Sequence, residues 1–89
     1  MSADLLTAAR AEALFTSHLS QRSAPDATQV AAAITAAVRA YGGTRGCAAQ
    51  VAAEYGDHPE TAPARMRWAR RVVESVYRGS GARRDTCTV

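Results

Sequence analysis

Residues 23–43 read SAPDATQVAAAITAAVRAYGG, and this stretch holds a whole helix with both of its ends. Ser23 is a capping residue, Pro25 suits a first turn in which a missing N–H is no loss, and Asp26 follows the cap by three positions. Val30, Ile34, Ala37, Val38 and Tyr41 then recur at the helical period. Gly42-Gly43 closes the run, because glycine takes up the left-handed cap conformation at little cost. The spacing predicts a helix over 25–41. Alanine dominates it, and alanine leads the helix scale while being depleted in strands.

The same reading extends to both sides. Upstream, Ser2 is a candidate cap for a helix over 3–19. Leu5, Ala8, Glu12, Phe15 and Leu19 lie on one face of it and Leu14 lies nearly opposite. A helix apolar almost all round calls for several neighbours or a partner chain. Glu12 on that face reads either as a snorkelling surface carboxylate or as the buried partner of an arginine. Downstream, Thr44 is the candidate cap of a third helix over 44–55, in which Cys47, Ala48, Val51, Ala52 and Tyr55 share a face and Gly56 is the stop. A turn follows around His58–Thr61, with Thr61 as the next cap and Pro63 in the first turn of a fourth helix over 62–78. Met66, Ala69, Val72, Val73, Val76 and Tyr77 form its apolar arc. Arg67, Arg71, Glu74 and Arg78 form the opposite stripe, in which Glu74 and Arg78 are a favourable pair one turn apart. The expected architecture is all-α: a compact single domain of four helices over residues 1–78, with a flexible basic tail over 79–89.

Composition bounds the function. The chain has 89 residues and 9.4 kDa, and its 21 alanines supply about half of the 47% hydrophobic content. Bulky core candidates are therefore few. A domain of this size buries only about 60–65% of its unfolded surface, and dimerisation through the first or fourth helix would relieve the shortage. No run of apolar residues is long enough to span a membrane, and no secretory leader pattern opens the chain, so a cytoplasmic setting is expected. Cys47 and Cys87 make a poor disulfide framework, and neither His18 nor His58 has metal-ligand spacing to a cysteine. Cys47 reads as a small core residue, with a reactive thiol beside Arg45 as the alternative. No nucleophile elbow, paired carboxylates or Ser/His/Asp set is visible. Gly42–Gly46 follows a helix and lacks the lysine of a phosphate loop. A non-enzymatic protein without metal, cofactor or small-molecule substrate is expected.

The charge is uneven. Every cation is an arginine; the net charge is +3, and residues 61–89 alone carry seven arginines against Glu74 and Asp85. The candidate nucleic-acid-binding residues are Arg65, Arg67, Trp68, Arg71 and Arg78, since guanidinium forks suit phosphate and carboxylate alike. A solvated helix face is the plain alternative for the arginines, and core packing the plain alternative for Trp68.

Residues 48–68 resemble a helix-turn-helix unit. Ala48-Ala-Gln-Val51-Ala52-Ala-Glu-Tyr55-Gly56 is similar to its first helix and turn, with Ala52 in the small-residue place and Gly56 in the turn glycine's place. The resemblance implies that the two helices cross closely at Ala52. It also implies that the following helix enters the DNA major groove, presenting Ala64, Arg67, Trp68 and Arg71 near its start. Asp57 departs from the apolar residue usual after the glycine, and Pro63 falls where the second helix would already run. In overall style the chain is also similar to small Ala- and Arg-rich proteins of high-GC actinobacteria, a likeness that implies no activity. Two functions follow as expectations. One is a nucleic-acid-binding or transcription-regulatory protein working through the fourth helix. The other is an interaction adaptor or regulatory subunit that docks an acidic partner on the same face, or an apolar partner on the first helix.

Overall fold

The helical periods are realised by four α-helices in the computed structural model, which describes residues 2–78, with side chains described over 5–77. They are α1 (Ser2–Thr16), α2 (Ala27–Ala40), α3 (Thr44–Asp57) and α4 (Ala62–Val73), and α4 runs on into a π-helical turn, Glu74–Arg78. No strand occurs among the described residues. The expected tail, with Arg83 and Arg84, lies outside them, as does the side chain of Arg78.

α1 is the hub: it packs against α2, α3 and α4, while α3 and α4 touch each other less than either touches α1. Its all-round apolar character is thereby accounted for, but along only part of its length. Leu14 is fully buried, with Ala11, Ala13 and Phe15 beside it, whereas Leu5 is 75% exposed. The face of Leu5, Ala8, Glu12, Phe15 and Leu19 meets the core at Phe15 and Leu19 but is not the centre of the core face. Leu14 is its centre, because three helices surround the C-terminal half of α1 and leave the first turns projecting. α1 also stops at Thr16, short of the expected Leu19. The hydroxyls of Thr16 and Ser17 donate to the carbonyls of Ala13 and Leu14, which closes the last turn.

α2 starts two residues later than the sequence reading places it, and its cap lies three residues later. Asp26, not Ser23, is the N-cap: its carboxylate accepts from the Gln29 backbone N–H at 2.8 Å, and the Gln29 side-chain oxygen accepts from the Asp26 N–H at 2.9 Å. This reciprocal pair satisfies two donors at once, and Pro25 sits just outside the helix. Removing the carboxylate in Asp26→Ala is expected to lower stability by about 1 kcal/mol in urea unfolding, whereas Ser23→Ala, which removes only an exposed bond to the Ser20 carbonyl, stays within about 0.5 kcal/mol.

The glycine stop behaves as expected. Gly42 has φ +77°, and the Gly43 N–H donates to the Val38 carbonyl at 2.7 Å, the six-to-one bond of a glycine-terminated helix. Gly43, at φ +105°, is then the N-cap of α3, in place of Thr44. α3 runs two residues past Tyr55, so Gly56 lies inside it and does not end it. Thr61 occupies the cap position of α4 without a side-chain bond, Pro63 lies in the first turn, and a tight turn through the His58 carbonyl links α3 to α4.

The core joins Leu14, Phe15, Val30, Val51, Trp68, Ala69 and Val73, and a smaller cluster joins Ala13, Ala37 and Cys47. Cys47 is a fully buried free thiol, the core reading of that residue.

Candidate interaction site on the fourth helix

α4 turns Ala62, Ala69 and Val73 inward, and the residues half a turn away necessarily face out. Arg67 and Arg71 are exposed on that outer side, and Arg70 is exposed on the flank, where it lines a cleft with Glu12, Tyr55 and Met66. Arg70 flanks the core rather than joining the outer stripe, as its place one turn after Met66 implies.

Arg65 and Trp68 are placed differently. Trp68 is only 6% exposed and belongs to the core. Arg65 reaches back across α1. Its Nε donates to the Phe15 carbonyl at 2.7 Å, and its Nη2 donates to those of Ser17 and Leu19 at 3.0 and 2.9 Å. These are carbonyls at and beyond the end of α1, where helical partners run out. The guanidinium carbon also lies 4.9 Å from the Trp68 ring centroid and 5.9 Å from that of Phe15. Burial pushes the Arg65 pKa down, and the nearby Glu54 carboxylate opposes that shift. The guanidinium still carries its charge at neutral pH. Arg65 is thus engaged in holding α4 to the end of α1. One signal in the sequence pointed there: position 65 falls on the apolar side of α4, where an arginine must give its donors to backbone or acid.

Arg10 is similarly engaged, its guanidinium 3.8 Å from the Tyr77 ring centroid, which pins the π-helical turn to α1. Tyr55 stacks on Phe15 at 6.1 Å. Glu12 is half-buried and lines a cleft with Arg70, Tyr55 and Met66.

The close helix crossing that the helix-turn-helix resemblance implies is not formed at the expected residues. Ala52 is exposed, and a Cβ on Gly56 would meet open space. Ala64 is half-buried. Around the turn, Asp57 and Glu60 are exposed, and Glu74 lies beside the arginines on the outer side of α4. The face is therefore cationic but interrupted by carboxylates. Beside it, the linker 23–25 and α4 enclose an open groove of about 310 Å³. No group of His, Cys, Asp and Glu suited to a metal ion occurs among the described residues, and none of their helices is long and apolar enough to cross a membrane.

Fold and site together define a small all-α module with a rigid, arginine-bearing helix face. Comparison with known proteins gives no matching family model, no matching curated protein and no matching solved structure.

Proposed function

We propose that the protein is a non-enzymatic interaction module that docks an acidic segment of a partner protein on α4. The observation that carries this reading is the exposure of Arg67 and Arg71 on the outer side of one helix, with Arg71 at the margin of an apolar groove and Arg70 exposed on the other flank. Arginine beside apolar surface is the composition of interface anchors. The carboxylates of Asp57, Glu60 and Glu74 break up the positive field, which suits a partner of mixed charge better than a uniform polyanion. We place the module in the cytoplasm, a setting in which the Cys47 thiol stays reduced.

A second reading, nucleic-acid binding through the same arginines, draws support from the net charge of +3 and its concentration after residue 60. With Trp68 sealed in the core and Arg65 committed to α1, such binding would rest on phosphate contacts alone and would weaken steeply with salt. One titration separates the two. A labelled glutamate-rich peptide and a labelled random DNA duplex are each titrated with the protein at low and physiological salt, alongside R67E/R70E/R71E. Peptide binding that persists at physiological salt and weakens about tenfold or more in the triple variant supports the proposal. Duplex binding that behaves so, with the peptide inert, overturns it in favour of the second reading.

A further inference from the structure

The groove between the linker and α4 has a chemistry of its own. Pro25, Val72 and Val76 are half-buried along it and the buried Trp68 also lines it, while Arg71 and Ser75 are exposed at its margin. Its volume of about 310 Å³ is at the low end of ligand-sized cavities, which run from about 300 to 1,000 Å³. It has room for one or two side chains rather than for a cofactor. The linker wall, Ser23-Ala24-Pro25, brings no charge. Asp26 just beyond does not line the groove, so Arg71 is the charged side chain among its lining residues, with Arg67 one turn before it on the same helix. Trp68 lines the groove but is only 6% exposed, and Arg65 lies over its ring. So little exposed ring is a poor platform for a flat base, whose stacking single-strand binding requires. An aliphatic or aromatic side chain entering end-on has apolar contact with Pro25, Trp68, Val72 and Val76.

We propose that this groove is the partner's anchor point, taking one apolar side chain of an acidic segment whose carboxylate pairs with Arg71. The proposal rests on the acidic-partner reading of α4 and adds to it the place and chemistry of the anchor. Trp68 is the chain's only tryptophan, so its indole N–H resonance reports on the groove without labelling.

The test uses the whole chain and three probes: a short helical peptide with leucines one turn apart among glutamates, its leucine-to-serine counterpart, and a random DNA duplex. The leucine peptide is expected to shift the Trp68 indole resonance and to bind about tenfold more tightly than the serine peptide. Ser75→Glu, which puts a carboxylate at the groove margin, should weaken the leucine peptide about tenfold while leaving the melting temperature unchanged. Equal binding of both peptides, lost in R67E/R70E/R71E but with an unmoved Trp68 resonance, would overturn the anchor and leave the arginine face standing. Failure of both peptides to bind removes both. A duplex that moves the Trp68 resonance and is weakened by Ser75→Glu, with the peptides silent, also overturns the proposal.

Discussion

Gly46→Ala is expected to destabilise the protein by about 3 kcal/mol or more, enough to unfold much of so small a domain. Helix propensity alone argues the other way, since alanine is about 1 kcal/mol better than glycine inside a helix. Contact decides the sign. A Cβ on Gly46 would fall inside van der Waals contact with the carbonyl of Tyr41, a backbone group that no rotamer change can move. Nor can the turn retreat easily, because Gly42 and Gly43 already hold it at φ +77° and +105°. Gly56 lies in the same helix with open space around it, so Gly56→Ala should stabilise by about 0.5 kcal/mol. Urea unfolding followed by circular dichroism reads both. A Gly46→Ala variant as stable as Gly56→Ala would mean that the approach of α3 to Tyr41 is not as described.

Arg65→Met should cost about 3 kcal/mol. The side chain's length and apolar stem are kept, but the carbonyls of Phe15, Ser17 and Leu19 lose charged donors at 2.7–3.0 Å. A bond to a charged group contributes about 1.5–3 kcal/mol, and partial rehydration of the half-buried site keeps the total well below the sum of three such bonds. Arg65→Lys should recover only part of the loss, since an ammonium cannot span three acceptors as a planar fork does. Arg67→Met, on the exposed side of the same helix, should stay within about 0.5 kcal/mol of the wild type. Urea midpoints of the three variants give the comparison, and an Arg65→Met midpoint equal to that of Arg67→Met would remove Arg65 from its clamping role.

The helices were legible because their signals are local. The apolar arc of α4 and the Gly42-Gly43 stop depend on neighbours within a turn or two, and both appear where the periodicity puts them. The shift from Ser23 to Asp26 shows the limit of that kind of signal: both residues have capping chemistry, and the contact with Gln29 selects between them. The core face of α1 was harder to read, because alanines and leucines occur all round it and only the positions of three other helices decide that Leu14 is buried and Leu5 is not. The candidate site was read in part for the same reason. Arg67 and Arg71 are exposed, as the stripe predicts. Arg65 is drawn from the surface by carbonyls at the end of α1, some 46–50 residues away in sequence, and Trp68 takes the core-packing alternative. The linker wall at Pro25, which completes the groove beside Trp68, has no signal in the sequence around α4.

The arginines of α4 divide their labour, Arg65 clamping α1 and the exposed ones meeting a partner, and one paired measurement tests that division. Thermal unfolding and binding of the glutamate–leucine peptide are recorded for Arg65→Met and for R67E/R70E/R71E side by side. The account predicts that Arg65→Met lowers the melting temperature by several degrees and, where folded, binds the peptide as the wild type does. It predicts that the triple variant melts like the wild type and loses the peptide. A destabilised triple variant, or an Arg65→Met protein that melts normally but no longer binds, would contradict it.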